Sequence, residues 1–344
     1  MSEGSAEPLL EVRDLSVVFP TDEGPLQAVD NVSFRVEEHE VLGVVGESGS
    51  GKTVTQLAIL GLLPPRAKIT GSARFRGREL IGLPDDEMRP IRGDEIAIIF
   101  QDALAALNPV HTIGDQIAEA ISVHHDKTAR EMRERIVELL DLVGIPNPSE
   151  RADQYPHEFS GGMRQRAMIA MSIANDPALL IADEPTTALD VTLQAQVLEV
   201  LERVQDRTNS SIVMITHDLG VVAGIAERVV VMYAGRRVEE AAVDDLFEAP
   251  SHPYSLGLLA SLPRLDQRSH GQRLYRIKGQ PPSLVDRPPG CAFHPRCEFA
   301  AVPDPCATSV PDVREVGPGH FSACHHVEQL VGLTPAQLRE RAAT

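Results

Sequence analysis

The sequence has 344 residues, of which 42% are apolar and 24% charged. That is the balance of an ordinary globular chain, long enough for one large domain or a domain with an appendage. Thirty-two Lys and Arg against 50 Asp and Glu leave a net charge of −18, with no Trp and only 4% aromatic residues; so acidic a surface repels phosphate backbones and offers few base-stacking platforms, which disfavours a nucleic-acid partner.

In chain order, the start (Met1-Ser2-Glu3-Gly4-Ser5) is acidic and lacks an apolar run, so a frayed tail over residues 1–8 is expected and no signal peptide. Strands are predicted at 15–19, 41–45, 96–100, 179–182, 212–216 and 229–233. Several are continuous apolar runs, as in a sheet covered on both faces. Helical patterns alternate with them: one after residue 52 running to Leu63 and stopped by Pro64-Pro65, one at 113–122, and one at 127–143 ended by Gly144 and Pro146. The alternation predicts an α/β domain. The longest uncharged stretches, 53–65 and 249–263, fall short of the about 18 apolar residues a membrane span needs, so the chain is expected in the cytoplasm. After about residue 250 the composition changes. Nine prolines fall between Pro281 and Pro318 and all four cysteines follow position 290, which predicts a small, loop-rich appendage lacking a core of its own.

Gly46-Glu47-Ser48-Gly49-Ser50-Gly51-Lys52-Thr53 fills the pattern G-x-x-x-x-G-K-[ST] between a predicted strand and a predicted helix. Glycines let backbone N–H groups curl around a β-phosphate, and the helix N-terminus adds partial positive charge. Lys52 can reach the β- and γ-phosphates, and the Thr53 hydroxyl can ligate Mg²⁺. A second element, Leu179-Leu180-Ile181-Ala182-Asp183-Glu184, is a buried strand delivering two carboxylates at its C-terminal end. Asp183 suits Mg²⁺ support, and Glu184 suits polarising an attacking water. His217, after the strand at 212–216, stands where a γ-phosphate sensor would. Phe159-Ser160-Gly161-Gly162-Met163-Arg164-Gln165-Arg166 precedes a helix expected to run to Asn175, and its serine and glycines make a second anion site. One nucleotide already has one such site, so a second implies a nucleotide shared between two chains.

This ordered set, closed by Ala188-Leu189-Asp190, resembles the ATP-binding cassette of ABC transporters over about residues 9–250. The resemblance implies a phosphate-loop nucleotide-binding fold with a helical subdomain at about 102–175, ATP and Mg²⁺ as cofactors, and ATP hydrolysis between two paired cassettes. It gives Phe19 the place of the aromatic that stacks on adenine. Gln101 matches the glutamine that contacts Mg²⁺ and water and links to the membrane partner. Ser160, Gly161 and Gly162 would touch the γ-phosphate held by the opposite subunit, and Asp190 would order the dimer interface. Glu184 and His217 take the catalytic-base and switch positions. The signature departs from its commonest form, with Phe159 for Leu and Met163 for Gln.

Segments the core chemistry does not need narrow the resemblance. Ala106-Leu107-Asn108-Pro109, His252-Pro253-Tyr254, Lys278-Gly279-Gln280-Pro281-Pro282 and Cys291-Ala292-Phe293-His294-Pro295-Arg296-Cys297 together look like the ATPase subunits of dipeptide and oligopeptide importers. Nickel importers of the same branch share them. The resemblance then implies two transmembrane permease subunits, an extracytoplasmic peptide-binding protein, and a second homologous ATPase chain or a homodimer at the cytoplasmic membrane face. A non-transport ABC ATPase and a catalytically silent cassette are the competing readings. Cys291, Cys297, Cys306 and Cys324, spaced C-x5-C-x8-C-x17-C over residues 251–344, lack the C-x₂-C knuckles of zinc ribbons. A structural [4Fe–4S] cluster is expected there, with zinc as the alternative.

Overall fold

The computed structural model describes residues 7–187, 190–262 and 275–343. Ala188 and Leu189 of the predicted motif, and most of the predicted N-terminal tail, lie outside the described residues. The chain forms two compact units: Met1–Leu10, Arg35–Val41 and Phe75–Ile215 make the first, and Glu11–Phe34, Leu42–Arg74 and Thr216–Thr344 the second.

In the first unit Ile96–Ile99 pairs in parallel with Leu179–Asp183, and that strand with Ser211–Thr216. Every residue of the last two strands is buried, as their unbroken apolar runs require of a sheet covered on both faces. The register sets Asp183 opposite Ile215, so the carboxylates emerge at the strand's C-terminal end. Helices Ile113–Ser122, Ala129–Leu142, Gly161–Ser172 and Val191–Thr208 surround these strands in the sequence. The helix expected at 127–143 starts two residues later because Thr128 is its cap. Its hydroxyl accepts from the Glu131 N–H, while the Glu131 carboxylate accepts from the Thr128 N–H at 2.8 Å. Gly144, at φ 73°, stops it. The signature helix ends at Ser172 rather than Asn175, because Asp176 takes a left-handed φ of 51° ahead of Pro177, and the Asn175 amide turns to the Gly93 and Ala120 carbonyls.

In the second unit Val41–Val45 runs parallel to Arg228–Tyr233. Ala234 and Gly235, both at positive φ, turn the chain back into the antiparallel strand Arg236–Ala242, as a two-residue hairpin turn demands. Leu10–Thr21, longer than the predicted 15–19, lies between Gly24–Val36 and Lys68–Phe75 in another sheet. The helix after the phosphate loop stops at Ile59, short of Leu63. Gly61 adopts φ 62°, its N–H donates to Ala58, and the Leu62 N–H returns to the Leu57 carbonyl, a Schellman closure.

The proline-rich tail departs from the expectation that it lacks a core. Its strand His320–Ser322 pairs antiparallel with Arg236–Ala242, and Arg314–Gly317 follows beyond it. Ala292 and Phe293 join Val45, Tyr233 and Tyr254 in one buried cluster. Leu330, Leu333 and Leu338 pack with Leu256 and Ala260 in another. Too few apolar side chains occur at regular spacing to show as periodicity: Ala292 and Phe293 are buried with residues that precede the tail, whereas Leu330, Leu333 and Leu338 are buried against helix Pro253–Ser261 at its own start.

Candidate nucleotide-binding site

Strand Val41–Val45 is wholly buried and ends at Gly46. A Cβ at Gly46 would lie 2.2 Å from the Met232 carbonyl oxygen, and one at Gly51 would lie 2.7 Å from that of Ala28. Gly51 also holds φ 99° and precedes helix Lys52–Ile59. Only glycine lets the loop lie this close to the strands beneath it. The Lys52 ammonium folds over the loop and donates to the Gly46 carbonyl at 2.7 Å and the Glu47 carbonyl at 3.1 Å. The side chain is buried, so its charge is concentrated where phosphate oxygens would be received. Ser48, Gly49 and Thr53 are exposed and Ser50 buried. Phe19 is half-buried on Leu10–Thr21 in the same unit. His217 is exposed, directly before Asp218, which caps helix Leu219–Ile225 by accepting from the Gly220 N–H.

The first unit gathers the carboxylate chemistry. Asp183 is buried at its strand end. Glu184 holds a left-handed φ of 47°, a conformation that costs a non-glycine residue on the order of 1–3 kcal/mol and clusters at active sites. Its N–H is fixed by the Ile215 carbonyl at 2.9 Å. Its carboxylate accepts from the Gln101 amide at 3.2 Å and the Thr187 hydroxyl at 2.7 Å. The structure therefore brings Gln101 and Glu184 together, and adds Thr187. Ser160 caps the twelve-residue helix Gly161–Ser172, with Gly161 exposed. A Cβ at Gly162 would lie 2.9 Å from Leu193, so that glycine serves close packing. Leu193 sits in the first turn of the helix capped by Asp190, whose carboxylate accepts from the Thr192 and Leu193 N–H groups. Gln165, buried, donates to the Pro185 carbonyl at 2.8 Å and ties the signature helix to the turn after Glu184. Gln165 and Thr187 were not singled out in the sequence: nothing in the spacing of a lone Gln or Thr announces a contact.

Nor does spacing reveal what holds the phosphate loop. Glu47 sends its N–H to the Tyr254 hydroxyl at 2.9 Å and its carboxylate to the Arg296 guanidinium at 2.6 and 3.0 Å. Arg296 stands just before Cys297 in the one-turn helix His294–Arg296. Pro281, Pro282 and Leu284 line a cavity of about 220 Å³ together with Glu47, Ser48, Gly49 and Ser50. His252 caps helix Pro253–Ser261 by accepting from the Tyr254 N–H, and full burial pushes its imidazole down to about 3.

The four cysteines are unbridged. The Cys291 N–H donates to the Cys306 carbonyl at 2.8 Å, a closeness permitted by Gly290, where a Cβ would lie 2.5 Å from the same oxygen. Burial, eased in part by neighbouring N–H groups, pushes the Cys297 thiol up to about 12 and that of Cys324 up to about 11; the charges of the other cysteines add to the rise in each. The thiols thus share one neighbourhood. Among the described residues no three His, Cys, Asp or Glu side chains are set to hold a single metal ion.

The profile of the ABC transporter family matches residues 29–187, and that of the oligopeptide/dipeptide transporter C-terminal region matches residues 238–303. The oligopeptide transport ATP-binding protein OppD of Escherichia coli K12 is 47% identical over 332 residues, covering 96% of this chain and 97% of that protein. The chain belongs to the ABC transporter family, in its oligopeptide/dipeptide branch. OppD of Mycobacterium tuberculosis H37Rv is 53% identical over 332 residues, and the cassette chain spans about half of it, 54%. Among solved structures, the ATP-binding cassette MJ0796, a dimer bound to ADP and Pi, aligns at TM-score 0.61 and 27% identity, over 68% of this chain and 98% of that one. The cassette cbiO1 of Clostridium perfringens, part of the ABC transporter complex cbiONQ, aligns at TM-score 0.61 over 70% of this chain and 91% of that one; at 24% identity it shows the fold alone. The fold is accordingly that of an α/β phosphate-loop ABC cassette, and no helix among the described residues is long and apolar enough to cross a membrane.

Proposed function

We propose that this chain is the ATP-hydrolysing subunit of an oligopeptide importer. The observation that carries the reading is the match along 97% of E. coli OppD, which spans both the cassette and the tail. Residues 9–250 would form the cassette, with its helical subdomain at about 102–175, and residues 251–344 the appendage.

Chemistry supports the same reading. Gly46–Thr53 offers backbone N–H groups and a buried ammonium to the phosphates of ATP. Thr53 in one unit and Gln101 and Asp183 in the other each carry an oxygen donor of the kind that suits Mg²⁺, an ion that would neutralise charge on the phosphates. Glu184, whose carboxylate is oriented by Gln101 and Thr187, would take a proton from water. Phe19 would meet the adenine, and His217 would report the γ-phosphate. Ser160, Gly161 and Gly162, at an exposed helix N-terminus, would serve the ATP of a partner cassette, with Asp190 ordering the interface. The partner would be a homologous ATPase chain or a second copy. Closure would act on two permease subunits at the cytoplasmic membrane face, fed by an extracytoplasmic peptide-binding protein. The reading is tested by uptake of a radiolabelled oligopeptide in cells whose copy of the chain is replaced by Lys52→Ala: uptake should collapse, and wild-type uptake would overturn it.

We also propose a structural [4Fe–4S] cluster, in preference to zinc, on Cys291, Cys297, Cys306 and Cys324. The support is the donor chemistry: four unbridged cysteines on irregular loops of one appendage, the ligand set such a cluster takes. Anaerobically purified protein should be brown, with about four irons per chain. A colourless protein carrying one zinc would reverse the assignment.

A further inference from the structure

Glu47 is the first variable residue of the phosphate loop, and three groups hold it. Its carbonyl accepts from Lys52, its N–H donates to the Tyr254 hydroxyl, and its carboxylate meets Arg296 in a two-point ion pair. The two outer partners lie 207 and 249 residues away in sequence. Arg296 is itself fixed on every side. Its Nε donates to the Lys278 carbonyl at 3.0 Å, Nη1 also reaches the Tyr233 hydroxyl at 3.3 Å, and the guanidinium lies within 6 Å of the Tyr233 and Phe293 ring centres. Its side chain is 6% exposed and that of Glu47 27%. A flat guanidinium gripping a carboxylate at two points in such surroundings fixes direction as well as distance.

We propose that Arg296 and Tyr254 are positioning residues for ATP binding: through Glu47 they fix the phosphate loop, so that the cysteine-bearing appendage sets the affinity of the cassette for nucleotide. The chain of contacts is short. The Glu47 carbonyl that Arg296 and Tyr254 hold in place is one of the two carbonyls that position the Lys52 ammonium. The Glu47 N–H is taken by the Tyr254 hydroxyl, so this amide anchors the loop to helix Pro253–Ser261. Arg296 and Tyr254 act on the loop and not on the nucleotide. Their loss would leave the loop able to close on ATP only after ordering itself, a cost that falls on binding rather than on the chemical step. The inference rests on the reading of Gly46–Thr53 as the ATP site.

The experiment is a double-mutant cycle on the full-length chain, titrated with a fluorescent ATP analogue, with Lys52→Ala as reference. Arg296→Gln and Glu47→Gln should each weaken binding about tenfold, and the double variant no further, because both break one pair. Tyr254→Phe should weaken it about threefold through the lost hydroxyl. In the assembled transporter the Arg296→Gln defect should appear in KM for ATP with kcat nearly retained, and exchanging the charges (Glu47→Arg with Arg296→Glu) should recover part of the loss. Additive losses in the double variant, or wild-type affinity in Arg296→Gln while Lys52→Ala binds weakly, overturns the positioning role alone. Wild-type affinity in Lys52→Ala overturns the phosphate-loop reading and this proposal with it. Should Arg296→Gln fail to fold, Glu47→Gln and Tyr254→Phe, which leave the cysteine loop untouched, decide the matter.

Discussion

The two glycine-containing helix starts of this chain, the phosphate loop and the signature, are built in opposite ways. The phosphate loop is held from afar. Tyr254 and Arg296 grip Glu47, Gly235 donates to the Ser50 carbonyl, and Arg287 and Arg236 both clamp Asp30, whose N–H returns to Gly235. The signature site is held locally. Ser160 and Asp190 cap the helices they precede through contacts two or three residues away, and Ser160, Gly161 and Asp190 stay exposed. Long-range anchoring suits a cradle that must be preformed for its own ligand, whereas local capping leaves a surface complete in itself and open to a partner. The contrast predicts that distant substitutions disturb the first site and spare the second.

The largest effect should come from neither anion site but from the strained carboxylate. Glu184→Gln keeps the shape and the Gln101 contact but removes the charge that receives a proton. ATP hydrolysis should fall about 10²–10⁴-fold, the usual contribution of a general base, with ATP affinity retained. Hydrolysis near wild type in the purified transporter would show that the left-handed backbone at Glu184 serves packing alone.

Next comes the exposed signature. Ser160→Arg inserts a long cation where the partner's phosphate would be met, but it removes only a local cap worth about 1 kcal/mol to the folded chain. In a mixed dimer with one altered chain, a single ATP site should stop turning over, as read by single-turnover hydrolysis. Two normal sites would break the comparison, since the surface would then serve no partner.

The held side answers to pH. Buried His252 has its imidazole pushed down to about 3, against about 6.5 in an unfolded chain. A depressed value means the unfolded chain takes the proton first. The stability His252 contributes is therefore whole above pH 6.5 and lost as pH falls towards 3, at about 1.4 kcal/mol per unit. His252→Asn, which keeps a side-chain acceptor for the Tyr254 N–H, should flatten that acid limb in melting-temperature scans, and an unchanged slope would assign the acid sensitivity to other groups.

Much of the candidate site was legible in the sequence, and the reason is physical. Gly46, Gly51, Lys52, Asp183, Glu184 and Ser160 act through backbone shape and local order, so their spacing along the chain carries their chemistry. Strand 41–45 and helix 113–122 were legible likewise, being a buried apolar run and an amphipathic segment with a threonine cap. Glu47, Tyr254 and Arg296 were not. A glutamate at a variable loop position and an arginine between two cysteines have no pattern until folding joins them. The tail looked coreless for a related reason: Phe293 buries itself with Val45 and Tyr233 outside it, and Leu330 with Leu256 and Ala260 far earlier in the sequence, while periodicity reports only a face that a short segment shares with itself.

The smallest expected effect tests the local side at its plainest. Thr128 and Glu131 form a reciprocal cap at the start of Ala129–Leu142, with the Thr128 hydroxyl also donating to the Glu131 carboxylate at 2.6 Å. Hydrogen bonds from Thr128 hold that carboxylate below the usual glutamate range, although both residues are exposed. Thr128→Ala leaves the Glu131 N–H to water and should destabilise the fold by about 1 kcal/mol, or roughly 2–4 °C in melting temperature. The helix has other contacts, among them buried Ile136, Leu139 and Leu140, so it should remain. Because nothing distant depends on this cap, KM for ATP should not move. A rise in KM comparable to that of Arg296→Gln would mean that the locally built side transmits strain to the phosphate loop, and the distinction between the two kinds of anchoring would fall.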